Sequence, residues 1–425
     1  MKHIIEEVRL GSGARGLLID VSGASVMSVR VCFRAGNKLV KRPEIYEAAH
    51  LMEHMAFGAN AGFRDEQAYE AEFTKNGAYH NAWTSDTLIC YEAECADFEW
   101  ERILELQKLA VAKPKFNEEE LKAEKGNVRA ELTGYQNDYT RLIWPKLQQE
   151  LGEEVLTYAE RLKTIANIEL RDIREHHRRT HVAENMQFVI AGNLKRRKRK
   201  ILQMLEGWGL KKGEIFEVPM DEYAGTAPVL IKRKDASNVT FGFSFVAKRR
   251  LEPAEQYAMG CLNHILTGTT TSKIFGQARK RGLVYGVGSS LGCGRWSSEW
   301  DFDGEVNAEN ANELFDLVAV ELARVINGEV KEEDIGAAKS YALGRHMMLA
   351  QTAEQVADYY AREYFTVGTF EPMEKAPEMI EGINKGAIVV LAREFMQSGV
   401  SGLAAVGNME KAIVNELWNR VLEVV

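Results

Sequence analysis

His50, Glu53 and His54 form the string H-L-M-E-H, which packs two imidazoles and a carboxylate into five residues. On an α-helix, positions i and i+4 lie about 40° apart around the axis and about 6 Å along it, so both rings reach one ion from one face. The glutamate at i+3 sits on the adjoining flank. There it can take a proton from water at the ion without entering the coordination sphere, the division of labour that metal-assisted hydrolysis requires. About one chain in a hundred of this composition would carry the pattern by chance, so the string is specific without being decisive. The competing reading places the same three residues on the exposed side of an amphipathic helix that packs through Leu51, Met52, Met55 and Phe57.

A catalytic zinc takes three protein ligands and leaves the fourth position to water or substrate, and one helix cannot surround an ion. The segment Leu121 to Glu131 offers Glu124 and Glu131. They are two helical turns apart and share a face. One can ligate while the other hydrogen-bonds a ligating imidazole and fixes its tautomer, and periodicity leaves open which does which. A rival cluster, His176, His177 and His181, has arginines between its rings and no acid placed as a base. Surface or interdomain packing is the expectation for it. His80 and His264 stand alone, with core or surface roles expected. Mixed nitrogen and oxygen donors favour zinc, although cobalt or manganese would accept similar ones.

The elements that must hold these groups can be traced along the chain. Residues 43–57 read as a helix, with proline at the start and Gly58 after the end. A second helix is expected over Glu66 to Asn76, closed by Gly77. Strands are expected over Asn81 to Thr84 and Thr87 to Tyr91, and further helices over Asp97 to Ala112 and from Glu118, capped by Asn117. The two halves echo each other. Phe188 to Leu194 (FVIAGNL) matches Leu403 to Met409 (LAAVGNM), and Val29 to Phe33 (VRVCF) matches Val239 to Phe245 (VTFGFSF). A duplication with a period of about 210 residues and a seam near residues 195–225 explains both. The expected fold is α+β: two homologous α/β sandwich domains, 1–210 and 211–425, each a mainly antiparallel sheet covered by helices on one face.

Composition sets the outer bounds. Of 425 residues, 45% are apolar and 27% charged, the balance of an ordinary globular protein. A net charge of −8 opposes binding to phosphate backbones, and the basic run Lys195 to Lys200 is expected to be a solvated surface, so no nucleic-acid partner is expected. No apolar stretch approaches the roughly 20 residues that would span a bilayer, so no membrane partner is expected. The N-terminal residues lack the apolar core of a signal peptide, and a cytoplasmic address is the expectation. Five scattered cysteines without CxxC pairs suggest neither a disulfide scaffold nor a thiolate zinc site.

These motifs together resemble the inverted-zincin peptidases, the M16 family of mitochondrial processing peptidase, pitrilysin and insulin-degrading enzyme, and above all its short two-domain members. The family pattern is H-x-x-E-H, then 76 residues, then glutamate; here residues 55–130 separate His54 from Glu131. The resemblance implies that His50, His54 and Glu131 hold one zinc per chain, that Glu124 supports the site and that Glu53 is the general base. Asn81-Ala82-Trp83-Thr84-Ser85 resembles the family's substrate-pairing edge strand, so residues 81–84 are expected to bind substrate. Ser272 to Phe275 and Arg281 to Tyr285 resemble a second stretch, which implies substrate and transition-state roles for Tyr285 and Arg279. The interval is one residue short of the family pattern, which leaves Arg281 as the alternative to Arg279. The second half has no paired histidine and glutamate near Asn263 to Leu266, hence no metal of its own. The implied activity is zinc-dependent endopeptidase cleavage of peptides or unfolded segments. A homodimer is implied, or a heterodimer with a paralogue. The alternatives are a noncatalytic partner subunit of a peptidase complex and a hydrolase of nonpeptide amides.

Overall fold

Strand Val26–Arg34 buries eight of its nine residues, Met27 through Arg34, and such a strand must lie inside a sheet with both faces covered. In the computed structural model, which describes residues 2–424, it is central to a six-stranded sheet. The strands are β1 (His3–Arg9), β2 (Arg15–Val21), β3 (Val26–Arg34), β4 (Tyr79–Thr84), β5 (Leu88–Ala96) and β6 (Met186–Gly192), in the order β1-β2-β6-β3-β5-β4. A second sheet joins β7 (Val229–Lys232), β8 (Asn238–Ala247), β9 (Val284–Cys293), β10 (Ser298–Asn307) and β11 (Ser401–Gly407), in the order β7-β11-β8-β10-β9. Apart from β1, the second sheet repeats the first strand for strand. The parallel pair β2 and β6 has its counterpart in β7 and β11, and the other pairings are antiparallel. The echoed strings occupy equivalent strands, β3 with β8 and β6 with β11, as a duplication requires.

The helices repeat in the same order. They are α1 (Ala48–Ala56), α2 (Glu66–Thr74), α3 (Trp100–Ala112), α4 (Glu118–Gln136), α5 (Tyr139–Glu150), α6 (Tyr158–Thr164), α7 (Leu170–Thr180) and α8 (Lys198–Glu206) in the first half. In the second are α9 (Pro253–Thr267), α10 (Phe275–Lys280), α11 (Ala311–Ile326), α12 (Glu332–Met348), α13 (Ala353–Val367), α14 (Ala376–Glu381), α15 (Lys385–Met396) and α16 (Lys411–Leu422). The expected helix over 43–57 is divided: Pro43–Ile45 is a 3-10 turn, and α1 begins only after Glu47. Asn117 caps α4 as expected, its side chain accepting from Glu120 N at 2.9 Å.

The chain forms two compact units that each borrow a segment. One contains the chain through Thr133 with Ala159–Pro219 and Leu349–Phe370; the other contains Gly134–Tyr158, Met220–Met348 and the chain from Glu371 onward. Thus α13 packs on β3 and β6, while α5 packs on β8 and β11. On the second sheet this contact is apolar, with Ile143, Leu147 and Leu151 against Val246, Val400, Ala404 and Val406. On the first, α13 buries Val356, Ala357, Ala361 and Phe365 and adds polar contacts: Arg30 Nε donates to Asp358 Oδ1 at 2.6 Å and Gln187 Nε2 to the Tyr364 carbonyl at 3.1 Å. The main helical layer covers one face of each sheet, and a single borrowed helix reaches the other.

Register also pairs two cysteines. Cys32 and Cys90 are direct partners across β3 and β5, with Cα atoms 4.1 Å apart, and form a disulfide that the scattered cysteine pattern did not suggest. Their separation of 58 residues hides a neighbourhood that only strand pairing creates. No helix among the described residues is long and apolar enough to cross a membrane.

Candidate metal centre

Helix α1 is anchored by Ala48, Ala49, Leu51, Met52, Met55 and Ala56, all essentially inaccessible. It packs against α7 and β4. Its remaining flank carries His50, Glu53 and His54, and there His50 and Glu53 are buried as well, so a cluster of titratable groups is desolvated. Helix α4 reaches this flank on a narrow apolar stripe, Leu121, Val128 and Leu132. Glu124 and Glu131 each follow one of those anchors by three positions, which turns both carboxylates the same way. The approach of α4 is clamped beyond the end of α1, where Glu120 Oε1 accepts from Ala59 N at 2.7 Å. A Cβ on Gly58 would stand 2.7 Å from Glu120 Oε2, so a larger residue there would push the Glu120 carboxylate aside.

The two rings meet edge to face, 4.8 Å between centroids. His50 Nε2 and His54 Nε2 are 3.2 Å apart, and Glu131 Oε2 lies 3.6 Å from each. Zinc with bonds of about 2.0–2.1 Å in a tetrahedron holds its donors about 3.3 Å apart, so these three atoms have the spacing of one ion's ligands. Both opposite nitrogens face carboxylates. His50 Nδ1 is 2.9 Å from Glu47 Oε2 and His54 Nδ1 is 3.0 Å from Glu124 Oε2. With Nδ1 donating to the carboxylate, each ring offers its Nε2 lone pair to a shared cation.

Glu53 also stands close, one carboxylate oxygen within 4.8 Å of a ring nitrogen on each histidine. Thr84, at the end of β4, donates to Glu53 Oε2 at 3.1 Å. Burial pushes the Glu53 carboxyl above the usual carboxylate range, while His50, His54 and the Thr84 bond draw it back. Burial lowers the His54 pKa, yet the hydrogen bond to Glu124 and the charges of Glu53, Glu124 and Glu131 outweigh it and leave the imidazole raised. The His54 bond holds Glu124 below its ordinary value. For the fully buried Glu47, burial opposes ionisation, but His50 and Arg161 prevail and its pKa is lowered.

Glu47 and Arg161 are the site residues that sequence reasoning missed. Glu47 stands three positions before His50, a spacing that could have drawn attention to it; Arg161 lies 114 residues away from Glu47, with no local signal. Its guanidinium grips both Glu47 oxygens, Nε to Oε1 and Nη2 to Oε2, the latter at 3.1 Å.

The substrate-binding candidates Asn81, Ala82, Trp83 and Thr84 all lie on β4, the last strand of its sheet. Its outer edge pairs with no strand among the described residues. Trp83 is partly exposed and donates to Glu92 Oε1 at 2.7 Å. Tyr285 and Arg279 belong to the other unit, at the edge strand β9 and on α10. Tyr285 is 89% exposed; the Arg279 guanidinium lies 5.4 Å from its ring centroid and donates to its carbonyl at 3.1 Å. Arg281 instead pairs with Glu313 at 3.5 Å, so Arg279 is the arginine that accompanies Tyr285.

The remaining histidines have other partners. His176 bonds the Ala35 carbonyl, His177 the Val111 carbonyl and His181 the Tyr91 hydroxyl, at 2.7, 2.9 and 2.8 Å. They are interior packing within one unit, where surface or interdomain packing was expected: His176 meets the chain just after β3, His177 the end of α3 and His181 the hydroxyl of Tyr91 on β5, while Arg178 is exposed. His80 pairs with Glu70 and His264 stacks on Tyr341. In the basic run, Arg197, Lys198 and Lys200 pair with Asp97, Glu6 and Glu101.

Known proteins resemble this chain in sequence and fold. Residues 17–156 match the profile described as Insulinase (Peptidase family M16), and residues 167–341 the profile described as Peptidase M16 inactive domain. An uncharacterized zinc protease of Rickettsia felis is 23% identical over 412 residues, covering 94% of this chain and 96% of that protein. One from Bacillus subtilis is 21% identical over 401 residues, covering 92% and 96%. The human mitochondrial-processing peptidase subunit beta is 27% identical over 169 residues, 38% of this chain and 34% of that one. Among solved structures, a protease from Helicobacter pylori superposes with a TM-score of 0.84 at 16% identity, covering 95% of this chain and all of that one. A peptidase M16 inactive domain from Pseudomonas fluorescens gives 0.85 at 17%, covering 96% and 98%. With two consecutive profiles of one family, full-length zinc-protease relatives and the same two-sheet fold, the chain belongs to peptidase family M16 as one of its short two-domain members.

Proposed function

We propose that this protein is a zinc-dependent endopeptidase in which His50, His54 and Glu131 hold one metal ion and Glu53 is the general base. The observation that carries the reading is the triangle of two Nε2 atoms and Glu131 Oε2, with edges of 3.2, 3.6 and 3.6 Å. Glu131 is preferred to Glu53 as third ligand because its Oε2 lies 3.6 Å from both Nε2 atoms, while Glu53 Oε2 is engaged by Thr84 of β4. Bound there, zinc would supply Lewis acidity toward a water and a scissile carbonyl. Glu53 accepts the proton of the attacking water and returns it to the leaving amine. Glu124 and Glu47 keep the ligating rings in the tautomer that offers Nε2.

The open edge of β4 presents backbone N–H and C=O groups beside Glu53, and an extended peptide fills them by adding a strand. That mode demands an unfolded segment and little particular sequence, so peptides and loosely folded chains are the substrate class. Tyr285 and Arg279, exposed on the second unit, are assigned to substrate and to the developing oxyanion. Dimerisation, as a homodimer, is part of the proposal. The test is cleavage of an unstructured peptide, followed by mass spectrometry with metal analysis of the purified protein. Activity lost to a chelator and restored by zinc supports the reading. A zinc-loaded protein that leaves such peptides intact overturns it.

A further inference from the structure

Each histidine of the pair has a carboxylate at Nδ1, but the two carboxylates are held differently. Glu124, on α4, is steadied by Asn127 Nδ2, which donates to its Oε1 at 3.1 Å. Glu47 has no such neutral partner and no access to water, its side chain being 0% exposed. A carboxylate in that position is tolerable only beside a cation. Arg161 supplies it from α6 with a two-nitrogen grip, and Thr164 of the same helix accepts from Glu47 N at 3.3 Å. Asn167, one turn further, donates to the Glu44 carbonyl at 3.1 Å and ties the same segment to the turn that leads into α1.

We propose that Arg161 and Glu47 are positioning residues for the metal site: Arg161 fixes the Glu47 carboxylate, and the carboxylate fixes the His50 ring with its proton on Nδ1 and its lone pair on Nε2. The inference rests on the zinc reading above. The fork geometry is what distinguishes this from a generic buried ion pair. Two guanidinium nitrogens set the plane of the carboxylate, and a carboxylate with a set plane offers His50 one direction of approach. A lysine at position 161 would keep the charge and lose the plane. Metal affinity therefore depends on a residue far from the metal motif in sequence, which acts through the Glu47 carboxylate.

The test measures zinc dissociation constants by competition with a chelating dye, beside the visible spectrum of the cobalt-loaded protein and the melting of each metal-free form. The expected result is zinc affinity about 10–100-fold weaker for Glu47→Gln and for Arg161→Gln, with an altered cobalt spectrum. Arg161→Lys is expected to recover metal-free melting more fully than it recovers zinc affinity, because charge returns without the fork. The inference is overturned if folded Glu47→Gln and Arg161→Gln hold zinc within twofold of the parent, or if Arg161→Lys restores affinity and spectrum completely. Should Glu47→Gln fail to fold, the two Arg161 variants decide alone. A parent protein that binds no zinc overturns the peptidase reading itself, whereas a zinc-binding parent with unaffected variants overturns only this one.

Discussion

The same three elements, a helix following the central strand, the edge strand of the sheet and the long helix after it, are built once around charge and once without it. In the first unit α1, β4 and α4 bring together two histidines and four glutamates, with Arg161 as the countercharge. In the second, α9 presents Asn263, His264 and Thr267 instead. Asn263 Oδ1 accepts from Ser289 Oγ and from Trp300 Nε1, both at 2.8 Å, and Thr267 shares a 2.7 Å bond with Ser289. His264 lies flat on Tyr341 of α12, 3.9 Å between centroids. The hydrogen bonds among Asn263, Thr267, Ser289 and Trp300 are all made between neutral groups. The scaffold supplies convergence in both units; in the first it gathers carboxylates around a histidine pair, and at the equivalent place in the second it gathers neutral hydrogen-bonding groups.

That contrast can be broken at the first unit by removing its base. Glu53→Gln is expected to keep zinc and lose about 10²–10⁴-fold in kcat on an unstructured peptide, read by product formation beside metal content. Near-parental turnover by the zinc-loaded variant would remove Glu53 from the mechanism. His54→Ala and Glu131→Ala should lose bound zinc as well as activity, whereas Glu124→Gln should retain the metal more weakly. Parental zinc content in the first two variants would contradict their assignment as ligands.

The second unit sharpens the comparison in the opposite direction. Asn263→Ala strands the buried Trp300 indole and is expected to cost about 1–3 kcal/mol of stability, measured by denaturant unfolding, with zinc content unchanged. A loss of zinc there would mean that the neutral network is not independent of the metal centre.

The smallest effect concerns acid. Burial holds His181 well below its ordinary pKa, His176 down to about 4, and His177 lowered. An unfolded chain takes up protons on these rings near pH 6.5 while the folded one resists, so it is the unfolded state that gains as pH falls. Stability from this cluster is full above pH 6.5 and declines toward pH 4, and the unfolding midpoint in denaturant should decrease steadily across that window. A flat profile in a His176→Gln, His177→Gln, His181→Gln variant, against a sloping parent, checks the source. Equal slopes would place the acid sensitivity elsewhere.

Much of the candidate metal helix was legible because its information is local. Helical periodicity places His50, Glu53 and His54 on one flank from the string alone, and the seven-residue interval places Glu124 and Glu131 on another. Hydrophobic strings closed by Gly-Asn showed the duplication, since equivalent strands bury equivalent faces. The Cys32–Cys90 neighbourhood was not legible, because sheet register sets it. Nor was the exchange of α5 and α13: an amphipathic helix states that it needs an apolar or polar face, not whose face it will be.

What the sequence determined by itself is the chemistry on offer: an i, i+4 histidine pair with a glutamate between, an acidic helix to complete it, and a second half lacking both. Folding decided which carboxylate meets which ring. Glu131 approaches both Nε2 atoms, Glu124 and Glu47 take the two Nδ1 sides, and Thr84 takes Glu53. The reason is distance along the chain. Contacts within a few helical turns follow from backbone geometry, whereas Arg161 finds Glu47 only after two helices and a sheet have packed, when burial makes the pairing obligatory.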